Sequence, residues 1–185
     1  MTELMNYLVE LEGMANDRLP PVQSWNPERT GEIDIVIKRD GSWLHDGAPI
    51  KRARLARLFS RILRKDDDAH FLVTPYEKLK IVVEDAPFVA VLLRAEGAGH
   101  EQKLVFTTNL GDVVLAGAEH AIMMREVDGN PHTIPYIDVR DGLLARINRT
   151  VYYELVALSE KEDTDASVVY TVRSNGETFV LGAAE

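Results

Sequence analysis

The stretch GSWLHDGA, residues 41–48, recurs in pattern as GDVVLAGA at 111–118 and as GETFVLGA at 176–183. Each copy has a glycine, five further residues and then Gly-Ala. A turn-like element such as Asp40-Gly41 or Asn175-Gly176 comes before four or five residues of strand character. Asp-Gly and Asn-Gly are strong hairpin signals because glycine tolerates a positive φ. The recurrence therefore predicts a duplicated β-hairpin that spans nearly the whole chain.

The composition is that of a globular protein with one large domain or two small ones, since 45% of the 185 residues are hydrophobic. The absence of cysteine excludes disulfides and thiol chemistry. Residues 1–16 lack the basic start of a signal peptide. The longest apolar run, residues 88–93, is far shorter than the roughly 20 residues of a membrane helix. We therefore expect a cytoplasmic protein without a membrane partner.

The charge is strongly asymmetric. The net charge of −9 argues against nucleic acid as a partner. Residues 51–65 nevertheless contain seven basic side chains and no acidic one, which leaves −16 for the rest of the chain. The segment is thus a candidate for contacts with anions.

Apolar spacing predicts the elements of the first part of the chain. Leu4, Leu8 and Leu11 share one side of a helix that ends near Gly13. Prolines between residues 19 and 27 predict an extended arm. A strand at 33–37 leads into the first hairpin, and a helix runs from Pro49 to about Arg64.

The remainder is predicted to be mostly β. Strands are expected at 71–74, 79–84, 88–94, 103–108, 112–116 and 120–127. The rest of the chain is predicted to contain a linker at Asn130-Pro131 and Pro135, helices at 138–147 and 151–159, a polar loop at 160–165 and a hairpin of strands 168–173 and 178–181. This pattern predicts an α+β fold with a duplicated β-hairpin/helix/strand motif in two similar halves. The predicted divisions are an amino-terminal helix and proline arm (1–30), a first half (31–97) and a second half (98–185).

The helix in the basic segment is amphipathic. Leu55, Leu58, Phe59, Ile62 and Leu63 share one arc, and Arg54, Arg57, Arg61 and Arg64 lie roughly opposite. A row of guanidinium groups can donate to phosphates or to an acidic partner. The alternative is a solvated helix face offset by Asp66–Asp68.

Two further arginines are candidate anion ligands. The same helical spacing places Arg52 on the apolar arc, so it needs either an internal carboxylate (Glu77, Glu84 or Asp85) or a bound anion in a cleft between the halves. Arg140 begins the second predicted helix and could face the same cleft. Pairing of Arg140 with its neighbours Asp138 and Asp141 is the simpler account.

Other candidate residues carry weaker signals. Thr74-Pro75-Tyr76-Glu77 fits a tight, hydrogen-bonded turn, with a ligand-facing role for Thr74 or Glu77 as the alternative. Trp43 is expected in the core, although it could stack on a ring. His45, beside Asp46, could serve acid–base chemistry, but no nucleophile accompanies it. The spacing of the five histidines does not indicate a metal site, and no phosphate-loop, dinucleotide or nucleophile-elbow motif occurs. No cofactor is expected.

Several stretches without a catalytic signature together carry a resemblance to a known family. They are Pro20-Pro21 with Trp25-Asn26-Pro27, Arg39–Trp43, Gly47–Arg52, Leu58-Phe59, Leu72–Pro75, Glu77-Lys78, Val83–Phe88, Tyr136–Leu143 and Ser174–Gly176. In these stretches the sequence resembles the DUF1285 family of unknown function. The resemblance implies a duplicated core, a second half similar to pleckstrin-homology folds, a ligand site between the halves and a signalling role.

The leading hypothesis is a non-enzymatic ligand-binding or signalling accessory protein that holds an anionic, nucleotide-like molecule between its halves. Arg52 and Arg140 would hold the anion, and Thr74 and Glu77 would make polar contacts, with Trp43 and His45 beside the ligand. The first alternative is an interaction module that docks an acidic protein through the helix at 51–65. The second is a hydrolase or transferase that uses His45 with a carboxylate.

Overall fold

The structure, a computed structural model, describes residues 2–13, 18–127, 129, 132–163 and 167–183. Contacts divide the chain into a first half, Met1–Ala86, and a second half, Pro87–Glu185. The sequence placed this boundary about ten residues later, after residue 97. The difference arises because the strand at Phe88–Glu96 pairs with later strands rather than with earlier ones.

The first half contains two α-helices, a 3₁₀ helix and six strands among the described residues. They are α1 Thr2–Gly13, the 3₁₀ helix Val22–Ser24, β1 Arg29–Ile37, β2 Trp43–His45, β3 Ala48–Pro49, α2 Ala53–Arg61, β4 Leu63–Asp66, β5 Ala69–Val73 and β6 Glu77–Val83. The sheet has the order β3-β2-β1-β6-β5-β4. Strands β1 and β6 run parallel, and the other neighbours run antiparallel.

The second half contains a six-stranded sheet, one α-helix and a separate three-stranded sheet in its described part. The elements are β7 Phe88–Glu96, the 3₁₀ helix Gly99–Glu101, β8 Lys103–Thr108, β9 Val113–Leu115, β10 Ile122–Arg125, β11 Ile134–Arg140, β12 Leu143–Ile147, α3 Arg149–Ala157, β13 Glu160–Asp163, β14 Val168–Ser174 and β15 Glu177–Ala183. The large sheet has the order β10-β11-β12-β7-β8-β9, and the small one β13-β14-β15.

The two six-stranded sheets share one strand order. In each, two three-stranded meanders meet at the centre, where the first strand of the first meander pairs in parallel with the last strand of the second. These central pairs are β1 with β6 and β7 with β12. The predicted α+β class, with two halves, is confirmed.

The hairpin turns predicted from the repeated pattern are confirmed. Gly41, Gly111 and Gly176 have φ values of 86°, 90° and 85°. A residue with a side chain would be strained in this conformation. The three copies nevertheless hold different places: β2 is the second strand of its meander, β9 is the third, and β15 is the last strand of the small sheet. The repeat therefore marks recurring turns and not equivalent strands.

The helix predicted at 138–147 is wrong. Strands β11 and β12 form a hairpin there, and Asp141 (φ 48°) with Gly142 (φ 75°) makes its two-residue turn. The Asp-Gly pair was the decisive signal, because two successive positive φ angles match the twist of a hairpin. Pro135, assigned to a linker, lies in β11 opposite Met124, while Asn130 and Pro131 lie outside the described residues.

Two other predictions concern the following segment. The helix expected at 151–159 is confirmed as α3, which Asn148 caps by accepting from the backbone N–H of Val151 at 2.8 Å. The polar loop expected at 160–165 is wrong for Glu160–Asp163, which pairs with β14 as β13, because a polar segment can form an edge strand. Residues 164–166 lie outside the described part. The helices that the structure describes are too short or too polar to cross a bilayer.

The core of the first half sits between its sheet and α2. The rings of Phe59, on α2, and Trp43, on β2, stack at 6.0 Å with an interplanar angle of 7°. In the second half Phe88 and Phe106 are among the fully buried side chains of the large sheet, and α3 contributes buried Val151 and Leu155. Burial of such large apolar side chains supplies the main driving force for each half.

Candidate functional site

The strongest concentration of charge in the described residues lies at α2. Its buried side is formed by Ala56, Phe59 and Ser60. Its opposite side and the two residues before it carry four exposed cations, Lys51, Arg52, Arg54 and Arg57, which we call the basic face. No acidic residue occurs between positions 51 and 65 to offset them locally. The arrangement favours a negatively charged partner.

The amino end of α2 adds to this potential. Arg52 is the N-cap residue, and its carbonyl accepts from the N–H groups of Leu55 (2.9 Å) and Ala56 (3.3 Å). An arginine side chain has no acceptor, so it cannot cap the first N–H groups as serine or aspartate would. Those groups and the helix dipole favour an anion near the helix start.

Arg52 does not point into the interior as predicted. It is exposed, and its backbone is extended because the helix begins only at Ala53. Helical spacing therefore does not apply to its side chain, and the expected internal ion pair with Glu77, Glu84 or Asp85 is wrong. Its role as an anion ligand stays a prediction.

The buried guanidinium of the first half belongs to Arg64. The sequence placed Arg64 on the arginine stripe of the helix, which is wrong because α2 ends at Arg61 and β4 begins at Leu63. Arg64 is 6% exposed and donates to the carbonyl oxygens of Val22 (2.9 Å) and Trp25 (2.7 Å) and to Asp66 (2.8 Å). It thus fastens the proline arm to the sheet and is engaged internally.

An acidic helix lies beside the basic one. Glu12, near the end of α1, forms an ion pair with Arg54, whose side chain remains 76% exposed. Arg61 donates to the carbonyl oxygen of Arg18 at 2.7 Å. The sequence analysis did not predict the pairing of α1 with α2. A signal was present, because the charged residues of α1 are all acidic and those of α2 are all basic.

Arg140 has partners inside the second half. It ends strand β11 and not the start of a helix, so the proposed equivalence with Arg52 is wrong. Its guanidinium forms an ion pair with Asp112 and lies 4.9 Å from the centre of the Phe88 ring. These contacts account for the burial of its side chain, which is 14% exposed. A ligand role for Arg140 stays a prediction.

Thr74 and Glu77 are brought together by a tight turn between β5 and β6. The Thr74 hydroxyl accepts from the backbone N–H groups of Tyr76 (3.2 Å) and Glu77 (3.1 Å), as the sequence predicted. Glu77 is 1% exposed, and its Oε2 lies 3.7 Å from Nε of Arg29. Its Oε1 is buried without a hydrogen-bond partner in the described part of the chain. Both side chains are inaccessible, so their predicted ligand contacts would require the turn to open.

Trp43 and His45 lie two residues apart on β2. Trp43 is buried beneath Phe59, which confirms the expected core position and leaves no free ring face on that side. His45 is half-buried, with Nε2 at 3.6 Å from Oδ2 of Asp46. The Nε1 of Trp43 and Nε2 of His45 are buried without hydrogen-bond partners among the described residues. Their roles beside a ligand stay predictions.

Two further titratable groups have pKa values shifted mainly by burial. Burial, together with the nearby Lys65 cation, lowers the pKa of His70 to about 4, so this imidazole is neutral at physiological pH. Burial raises the pKa of Asp138, which His120 opposes. Within the ranges that the structure describes, no three His, Asp or Glu side chains are placed to hold a metal ion.

The second half has a small polar pocket that the sequence analysis missed. Its lining is contributed by the 3₁₀ helix, the end of α3 and the small sheet: Gly99, Gln102, Leu158, Glu160, Thr171 and Arg173. Arg173 donates to Glu162 at 2.9 Å, which neutralises its charge. The pocket has room for about one or two water molecules and is far too small for a nucleotide.

Comparison with known proteins decides the family. Residues 20–86 match the N-terminal domain of DUF1285, a domain of unknown function, and residues 87–181 match the C-terminal domain of the same family. The chain belongs to the DUF1285 family. The predicted resemblance is therefore confirmed, and the junction of the two DUF1285 domains coincides with the division after Ala86.

Two solved DUF1285 structures resemble this chain. A protein from Silicibacter pomeroyi DSS-3 is 40% identical, with a TM-score of 0.87 over 98% of this chain and 95% of its own. A protein from Shewanella baltica OS155 is 30% identical, with a TM-score of 0.53 over 66% of this chain and 90% of its own. None of the curated proteins matches the chain.

Proposed function

We propose that this DUF1285 protein is a non-enzymatic binding protein that docks an acidic protein partner through the basic face of α2. The observation that carries the proposal is the exposure of Lys51, Arg52, Arg54 and Arg57 in a segment with no acidic residue of its own, where the described ion pair with α1, from Glu12, engages Arg54. Arg54 and Arg57 lie about one turn apart on α2, about 4.5 Å along its axis at 1.5 Å per residue, and Lys51 and Arg52 extend the row before the helix begins. An extended row of cations suits an acidic protein surface better than it suits a compact ligand.

The rest of the chain supports selectivity for a protein over nucleic acid. The net charge of −9 disfavours a long polyanion such as nucleic acid, which would extend beyond α2. A protein partner with a local acidic patch meets the basic face without approaching the acidic remainder. We therefore expect association that is fast at low ionic strength and strongly weakened by salt.

The test compares two charge-matched double variants. Arg52→Glu with Arg57→Glu reverses the basic face, whereas Lys80→Glu with Lys103→Glu makes the same change at two exposed strand positions elsewhere. Fluorescence anisotropy with poly-L-glutamate as the probe measures affinity at low salt and at about 500 mM NaCl, where the Debye length falls to a few ångströms. The basic-face variant should lose about tenfold or more in affinity, and the control should lose little.

Equal losses in the two variants would show that only net charge matters and would overturn the proposal. A wild-type protein that fails to bind the probe at low salt would overturn it as well. Partners captured from a bacterial lysate are then purified and tested against the same two variants, so that a specific complex is recognised by its dependence on Arg52 and Arg57.

A small anionic, nucleotide-like ligand is the second candidate. The amino end of α2 favours it, because Arg52 cannot cap the first N–H groups and Lys51 and Arg52 flank them. Calorimetry with a panel of nucleotides and inorganic phosphate, on wild type and Arg52→Ala, tests this candidate. Binding that Arg52→Ala abolishes and that poly-L-glutamate does not compete would favour a small ligand over a protein. Absence of binding at millimolar ligand would remove the candidate.

We also propose that the two halves derive from one duplicated unit and that the second half is related to pleckstrin-homology folds. The common strand order of the six-stranded sheets supports the duplication. The helix α3 after the last strand of the second sheet is the feature that supports the second relation. A role in signal transduction and a cytoplasmic location stay predictions, which localisation of the tagged protein and of its captured partner would test.

A further inference from the structure

We infer that α1 is a resident occupant of an apolar groove beside the basic face, and that the acidic partner docks there as an amphipathic helix in the place of α1, with its acidic rim on the basic face. This inference rests on the proposed function and adds the form of the partner and a means of regulation. It is carried by the charges, the apolar spacing and the contacts of α1.

The charges of α1 and α2 are complementary. Helix α1 contains three acidic residues, Glu3, Glu10 and Glu12, and no basic one. Helix α2 contains three arginines and no acidic residue. A contact between them is the kind of pairing that we expect the acidic partner to make.

The contacts of α1 fix its position at both ends. Glu3 pairs with Arg29 at 2.9 Å, and Glu12 pairs with Arg54. Between these pairs the ring of Tyr7 meets that of Trp25 edge-on, with centroids 5.5 Å apart. The helix is thus held by charge at each end and by an aromatic contact in the middle.

The apolar side of α1 has the spacing of a helix bound in a groove. Leu4, Tyr7, Leu8 and Leu11 are all buried and fall at positions i, i+3, i+4 and i+7. Peptide helices that dock in hydrophobic grooves place their apolar anchor residues at these same positions. A partner helix with leucines at this spacing and glutamates on its rim would satisfy both the groove and the arginines.

A resident helix competes strongly, because its tether gives it a high effective concentration. A partner helix enters the groove only in the fraction of molecules whose α1 has left it, and the apparent affinity for the groove falls by that fraction, whereas the basic face itself stays exposed. Substitutions that weaken the contacts of α1 should therefore increase the affinity for an external helix. If α1 were only a structural element, the same substitutions would lower stability without increasing this affinity.

The experiment uses the full chain and a fluorescent peptide of residues 2–13 as the probe. Leu8→Ala removes a buried anchor, and Glu12→Lys replaces the ion pair with repulsion while the apolar side stays intact. Glu154→Lys, at an exposed position of α3, is the matched charge control. Wild type and the control should bind the peptide weakly, and both loosened variants should bind it about tenfold more tightly.

Circular dichroism establishes that each variant is folded, and Glu12→Lys keeps the test decisive if Leu8→Ala does not fold. Folded variants that bind the peptide no more tightly than wild type would overturn the inference. A dimer in light scattering without peptide binding would assign the seat to α1 of a second copy and would also overturn it.

The outcomes separate this inference from the proposed function. The loosened variants could bind the peptide no better than wild type while the affinity for poly-L-glutamate still depends on Arg52 and Arg57. In that case the resident-helix inference fails, and the proposed function of the basic face is retained. If the peptide binds the loosened variants but poly-L-glutamate is indifferent to reversal of the basic face, the seat of α1 is a groove and the proposed function fails.

Discussion

Arg64 donates to the carbonyl oxygen of Trp25 at 2.7 Å from within the first half, where its side chain is almost wholly enclosed. The same guanidinium donates to Val22 and to Asp66. One side chain therefore joins the proline arm, strand β4 and a carboxylate, so its loss would leave several buried acceptors unsatisfied.

We expect Arg64→Met to lower the free energy of unfolding of the first half by about 3 kcal/mol, the cost of breaking a buried charged network. Both tryptophans, Trp25 and Trp43, lie in the first half, so tryptophan fluorescence during urea unfolding reports on that half. Arg57→Met, at an exposed position, is the control and should leave the urea midpoint almost unchanged. Equal effects of the two substitutions would contradict the role of Arg64.

His70 should make the first half sensitive to acid. Its folded pKa of about 4 lies below the ordinary value of 6.5, because burial and the Lys65 cation disfavour the charged ring. As the pH falls from about 6.5 towards 4, the unfolded chain binds this proton first, so stability present above that window is lost within it.

His70→Leu should remove this loss. With a discount for partial solvent exposure, wild type should lose roughly 1–2 kcal/mol more stability than His70→Leu between about pH 7 and pH 4.5. Urea unfolding followed by tryptophan fluorescence at both pH values measures the difference. His100→Gln, at an exposed histidine, should behave like wild type; parallel losses in all three proteins would refute the assignment.

Asp138 should carry an unfavourable charge in the second half. Burial raises its pKa, and its Oδ1 is enclosed without a hydrogen-bond partner among the described residues. Because the folded pKa is raised, the ionised form is disfavoured by folding, and this penalty disappears as the pH falls through that pKa.

Asp138→Asn should therefore stabilise the protein at about pH 7, by roughly 0.5 kcal/mol for a partly exposed group, with the gain fading in acid. Calorimetric melting at two pH values checks this. The control Asp67→Asn removes the same charge at an exposed turn position of the first half, where asparagine also tolerates the positive φ of 52°, and it should leave the melting temperature almost unchanged. A gain that persists unchanged at low pH would speak against the charge as its cause.

The Asn148 cap should stabilise the start of α3. Asn148 accepts from the N–H of Val151, so Asn148→Ala should cost about 1 kcal/mol, whereas Asn148→Ser should retain most of the stability. Hydrogen exchange of the first-turn amides of α3 measures the local effect. Protection that is unchanged in Asn148→Ala would show that the cap is dispensable.

Local signals were sufficient for much of the fold. Glycine turns, proline positions and alternating apolar residues predicted α1, α3 and most strands close to their observed bounds. They failed where one segment fits two patterns. The helical spacing of α2 continues through Ile62, Leu63 and Arg64. Leu63 and Arg64 nevertheless pair with β5, because the strand is stabilised by tertiary contacts that the local sequence does not show.

The candidate site depended on such contacts still more. Whether Arg52 or Arg64 is buried depends on where α2 begins and ends. Arg52 precedes the first helical residue by one position, and Arg64 follows the last one by three. The pairing of α1 with α2 joins residues more than forty positions apart, from Glu12 to Arg54, which no local period reveals. Complementary charges on two predicted helices were the available clue.

The central position of the parallel pairs has a consequence for synthesis on the ribosome. Strand β1 emerges early but finds its central neighbour only when β6 has been made, as the pairing of Arg29 with Glu77 shows. The same holds for β7 and β12. In a nascent chain of either half, the meanders of neighbouring strands should therefore pair first, and the central parallel pair should join them only as a late step.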